Sequence, residues 1–128
     1  MAHSHEKSHG DEIKIRKLLY RLFVLENVYK EKISWEEFQR KYSSYSLEEI
    51  EREVKKIEEK NRGTIQNLNS YVALLLAGWI LRNIRGVYYS GLEDKLASLE
   101  ADELLELYGD IVSGRINYTQ MLRRLGIK

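Results

Sequence analysis

From Tyr71 to Leu81 the chain reads YVALLLAGWIL, a run without a charged or amide side chain. A bilayer span needs about 20 such residues, and Arg82 and Arg85 follow this one at once. The run is therefore expected to be buried in protein. At helical pitch Val72, Ala73, Leu74, Leu75, Leu76 and Ala77 leave no polar face, so the helix should be surrounded by the rest of the chain. The expectation is a hub helix running to about Arg85, with Tyr71 to Ala77 as close-packed core. Ala77 and Gly78 are small enough to let a neighbouring backbone approach.

The remaining segments read as the helices that would surround it. Between Glu12 and Lys30, Ile15, Leu18, Leu19, Leu22, Leu25 and Val28 recur at three- and four-residue steps, one apolar stripe. SWEEF carries Ser34 and Glu37 at capping-box spacing, and SLEEI repeats the device with Ser46 and Glu49. Leu47, Ile50, Val54 and Ile57 continue the second stripe until Asn61 and Gly63 end it. Further helices are expected at about Leu92–Ser98 and Ala101–Val112, with a last one capped by Asn117 and Gln120. No segment alternates with period two. The fold class that follows is all-α: a compact orthogonal bundle of six to seven helices around a buried central helix, formed by residues 12–128 as a single domain.

Residues 1–11, MAHSHEKSHGD, are polar and have no apolar signal-peptide core. They read as a flexible tail or tag, in which His3, His5 and His9 fix no metal geometry. The chain has no Cys, which removes disulfides, thiolate metal sites and a Cys nucleophile, and is compatible with a cytoplasmic location. No membrane association is expected.

With 21 Lys+Arg against 20 Asp+Glu, any basic footprint must be local. Acids are missing in two places. From Gly63 to Leu92 the only charges are Arg82 and Arg85, and from Ile111 onward they are Arg115, Arg123, Arg124 and Lys128. The sequence has no phosphate-binding GxxxxGK loop, no HExxH and no GxSxG, and all three His lie in the tail. Adjacent acid pairs such as Glu93–Asp94 and Asp102–Glu103 diverge on a helix. Independent catalysis is not expected, and the chain reads as a binding or accessory module.

Two constellations carry that reading. Trp79, Arg82 and Arg85 step along one end of the hub helix, and the turn beyond adds Tyr88 and Tyr89. A guanidinium for phosphate beside a flat ring for a base suits a nucleotide or single strand, each stacked base contributing about 1–3 kcal/mol. The competing account is structural: arginines near a helix C-terminus complement its dipole, and a Trp in an apolar helix belongs to a core. At the other end of the helix Asn67 and Asn69, with Ser70, would read base edges or serve as caps. In the acid-free C-terminal stretch, Arg115, Asn117, Arg123 and Arg124 form the second basic group, with Arg115 in the SGRINY turn suited to phosphate.

The segments LNSYVALLLAGWILRNIRG and ELLELYGDIVSGRINYTQMLRRLGI resemble the helix-bundle accessory domain of archaeo-eukaryotic primase-polymerases, in particular that of archaeal plasmid replication primases. The resemblance covers about half the chain and rests on the LLLAGWILR helix after an Asn-bearing segment and on Tyr108, Gly114, Leu122, Leu125 and Gly126. Leu68 or Asn69 stands where relatives often have a basic residue. The resemblance implies a monomeric, non-catalytic domain beside a separate catalytic primase domain. It would hold single-stranded template DNA and a nucleoside triphosphate, with ATP bound alone or with Mg2+, and assist primer initiation. The candidate contacts are then Asn67, Asn69, Tyr71, Trp79, Arg82, Arg85, Tyr88, Tyr89, Arg115, Asn117, Arg123 and Arg124. Two alternatives remain at this level. One is a helical protein-interaction subunit of a nucleoprotein assembly, anchored by Trp79, Tyr88 and Tyr89. The other is a small helix-turn-helix binder of duplex DNA built on SGRINYTQMLRRLGI.

Overall fold

The computed structural model describes residues 3–86 and 88–127, the side chains of 3–9 and 11 excepted. The side chains of His3, His5 and His9, and the whole of Lys128, thus lie outside the described residues. Seven α-helices and no strand occur among the described residues, as expected for an all-α chain. They fall into two compact units, Met1–Lys60 and Asn61–Lys128.

The first unit holds α1 (His3–Tyr29), α2 (Trp35–Tyr42) and α3 (Leu47–Lys60). α1 is helical from His3, well upstream of the expected start near Glu12. The chain has no Pro, so nothing forces a break there, and extending a formed helix is far easier than nucleating one. Leu22 to Leu25 are buried in succession on α1, and Phe38 and Tyr42 of α2 and Ile50, Val54 and Ile57 of α3 are buried in the same unit. Its aromatic part is a chain of ring contacts: Phe23 meets Trp35 and Phe38 edge-on at 5.3 Å, and Trp35 stacks on Phe38 at 5.4 Å. The α2 capping box forms as read, Glu37 N–H donating to Ser34 Oγ at 3.1 Å. At α3, Ser46 N–H donates to Glu49 Oε1 at 2.8 Å. That bond holds the Glu49 carboxyl below its usual range.

Among the described residues of this unit, one charged side chain is buried. Glu26 is 1% exposed, with Lys41 Nζ 3.2 Å from both carboxylate oxygens, Lys30 Nζ at 3.8 Å and the Tyr42 hydroxyl donating to Oε2. Burial first, and the Glu26 bond next, push the Tyr42 phenol above its ordinary range.

The second unit holds α4 (Leu68–Asn83), α5 (Leu92–Ala97), α6 (Ala101–Val112) and α7 (Tyr118–Arg124). α4 packs on α5 and α6, and α6 on α7. Val72, Ala73, Leu76, Ala77 and Ile80 form the buried face of α4, with Leu92, Leu96, Leu104, Leu107, Ile111, Met121 and Leu122 in the same unit's core. The core expected over Tyr71 to Ala77 therefore holds for Val72, Ala73, Leu76 and Ala77. Tyr71 and Leu74 are instead exposed, at 40% and 56%, and Leu81 reaches 60%. α5 and α6 cover one side of α4, and an apolar side chain on the opposite side has no neighbour within the unit to bury it.

Candidate functional site

All twelve candidate contacts lie in the second unit, and the structure sorts them by what they already hold. Asn67 is the N-cap of α4, its Oδ1 accepting from Ser70 N–H at 3.1 Å. Asn69 turns the other way: its amide donates to the Leu99 carbonyl at 2.7 Å and reaches the Ala97 carbonyl at 3.5 Å. This clasp pins the first turn of α4 to the end of α5 and satisfies carbonyls that a helix terminus leaves open. Asn117 caps α7 in a reciprocal capping box with Gln120, both bonds at 2.8 Å.

The C-terminal arginines are also engaged. Asp110, buried in the last turn of α6, accepts from Arg124 Nη1 at 2.9 Å and has Arg115 Nε at 3.8 Å. The Asp110 backbone carbonyl takes the N–H groups of Arg115 and Ile116 at 2.9 and 3.2 Å, folding the SGRI turn back on the helix. Gly114 makes this possible at φ 81°, a left-handed conformation that side chains resist. The stretch that lacks acids thus borrows the acid immediately before it. The sequence signal for this residue was an isolated Asp in the apolar turn YGDIV. Arg123, by contrast, is exposed and has no ion-pair partner among the described residues.

At the far end of α4 the helix stops at Asn83, short of the expected Arg85. The Asn83 amide donates to the Trp79 carbonyl at 2.9 Å, and Ile84 is extended at φ −114° and ψ 129°. Gly86 follows at φ 138°, a backbone that only glycine adopts easily. The regular step from Trp79 through Arg82 to Arg85 is broken by this ending. Trp79 is half-buried, while Arg82 and Arg85 are exposed, neither with a carboxylate partner among the described residues. Arg82 folds back along its own helix: a Cβ placed at Gly78 would meet its Nη1 at 3.2 Å. Its charge is also felt at Tyr108, whose phenol burial pushes up to about 12, with Arg82 pulling the other way.

Further along the chain lie Tyr88 and Tyr89, both half-buried. Tyr88 donates its hydroxyl to Glu93 at 3.3 Å, and burial, then the Glu93 charge, raise its phenol above the ordinary range. Tyr88 also lines a cleft of about 80 Å³ with Ile80, Leu81, Ile84, Gly86 and Tyr118. Tyr89 lines a larger open cavity of about 470 Å³, whose other walls are Ser90, Gly91, Asp94, Lys95, Ser98 and Ile127. Lys95 and Asp94 are exposed there, without an ion-pair partner among the described residues. Neither residue stands out in the sequence, because on a short charged helix both read as solvated surface. The cavity is in the size range of small-molecule sites, about 300–1,000 Å³. It combines an aromatic face, a cation, a carboxylate and hydroxyls.

Comparison of the chain with models of known families, with curated proteins and with solved structures gave no match. Among the described residues no helix is long and apolar enough to cross a membrane.

Proposed function

We propose that the chain is a non-catalytic accessory domain of a DNA primase, which holds nucleoside triphosphate and single-stranded template through the end of α4 and the cavity beside it. The observation that carries this reading is the Tyr89 cavity, approached by a segment on which Arg85 is exposed without a carboxylate partner among the described residues. Tyr89 supplies a face for a base, Lys95 and Arg85 supply cations for phosphates, and Asp94 is an acceptor for sugar hydroxyls. The resemblance of the α4 and α6–α7 segments to primase accessory domains supports the same assignment. Arg123 adds an exposed cation, whereas Arg115 and Arg124 would have to leave Asp110 to reach a phosphate.

The test is a titration of a labelled single-stranded oligonucleotide, with and without ATP, at several salt concentrations. Binding is expected at low salt and should weaken at least tenfold in Arg85→Ala/Lys95→Ala. The slope of log K against log salt should fall by roughly 0.7 for each phosphate contact removed. No binding of either ligand at low salt would sink the reading. A clear preference for duplex DNA would favour the helix-turn-helix alternative.

A further inference from the structure

Four of the five exposed large hydrophobic residues of the described chain lie on one helix: Leu68, Tyr71, Leu74 and Leu81, all on α4. Tyr71, Leu74, Gly78 and Leu81 follow each other at steps of three, four and three residues. That is the spacing of a seam that one further helix covers, and it lies opposite the buried face of α4. Gly78, in the middle of the seam, has no side chain, and the Arg82 guanidinium lies over it, 3.2 Å from where a Cβ would stand. The seam has an electrostatic polarity too. Along the chain its only flanking charges from Gly63 to Leu92, Arg82 and Arg85, stand at the C-terminal end, and no acid occurs in that stretch.

We propose that this seam docks a single amphipathic helix of a partner protein, antiparallel to α4, whose first turn carries carboxylates that pair with Arg82. In that orientation the two helix dipoles oppose each other favourably. Acids in the first turn of the incoming helix are then stabilised by its own N-terminus and by the arginine together. A second copy of this chain fits poorly. Antiparallel, its α4 would bring an N-terminus without acids to the arginines, and parallel, it would set arginine against arginine. This docking surface is separate from the Tyr89 cavity and does not depend on nucleotide binding there.

The experiment is selection of helical peptides from a randomised display library against the full-length chain, followed by binding measurements on the selected peptides. Selected sequences should place Leu or another large apolar residue at three- and four-residue steps and Asp or Glu in the first turn. Replacing those acids with Lys should weaken binding at least tenfold, as should Leu74→Glu or Leu81→Glu in the chain. Both positions are exposed, so the circular dichroism melt of each variant should match the parent, and oligonucleotide binding should persist in Leu74→Glu, which lies away from the end of α4. Selected peptides without acidic enrichment, or insensitive to Leu74→Glu, overturn the proposal. So does concentration-dependent self-association of the parent chain that Leu81→Glu abolishes, since it would make a second copy the occupant. Displacement of the peptides by oligonucleotide with equal loss of both in Leu74→Glu would assign the seam to nucleic acid instead.

Discussion

The buried carboxylate of the first unit makes an asymmetric demand on its partners. Glu26 is 1% exposed, whereas the side chains of Lys41 and Lys30 are each 47% exposed. Removing Lys41 as Lys41→Met leaves a charge that cannot reach water, with only the Tyr42 hydroxyl and Lys30 at 3.8 Å to compensate. Breaking a fully buried pair from one side costs about 3–5 kcal/mol. Because the ammonium is half in solvent and a second lysine remains, about 2–3 kcal/mol is the expected loss here. Glu26→Leu behaves differently. Both lysines swing into water, and the main debt is one orphaned Tyr42 hydroxyl, about 1–2 kcal/mol, partly offset by burying the new apolar side chain. The double variant should then resemble Glu26→Leu rather than the sum of the two. Urea unfolding in a Trp79→Phe background reads this out, since Trp35 then reports the first unit alone. If Glu26→Leu costs as much as Lys41→Met or more, the argument from unequal exposure is wrong.

Two further outcomes concern the second unit. The Tyr108 phenol sits at about 12 in the folded chain, above its ordinary value near 10. The folded state therefore keeps a proton that the unfolded state releases, and this contribution, complete below 10, is lost as pH rises through 12. Absorbance at 295 nm should show a late-ionising phenol that Tyr108→Phe removes. Asp110→Asn removes the charge facing Arg124 and Arg115, whose side chains are 49% and 55% exposed. A charge-assisted bond discounted for that exposure suggests a loss of about 1 kcal/mol, seen as a lower melting temperature. Freed of their acid, the two arginines should also raise oligonucleotide affinity a few-fold in fluorescence anisotropy.

Local signals carried most of the element boundaries. The Ser34–Glu37 and Asn117–Gln120 spacings mark helix starts because both partners of a capping box lie within one turn, and both boxes form. The α6 range also agrees with its periodicity. The failures were of a different kind. Periodicity reports which residues are apolar but not how many neighbours a helix will have. α4 was therefore expected to be enclosed, and its Tyr71–Leu74–Leu81 side is open. The ending of α4 depends on one amide reaching back to Trp79 and on an extended Ile84, which a helical repeat does not encode. In the candidate site, Tyr88, Tyr89, Arg82 and Arg85 were legible as composition. The pairing of Asp110 with Arg124, the Asn69 clasp and the Lys95–Asp94 wall join residues distant in sequence or lack any pattern.

The Asp110 pairing also bears on how fast a polyanion arrives, a separate matter from how tightly it stays. Steering depends on the summed field several ångströms out from the surface. There, the two arginines and the buried carboxylate between them act as one net positive charge. Arg115 and Arg124 therefore add less to the field than two free arginines would, and Arg123, which has no such partner among the described residues, carries more of it. A passing polyanion would feel Arg123 before it felt the pair that Asp110 holds.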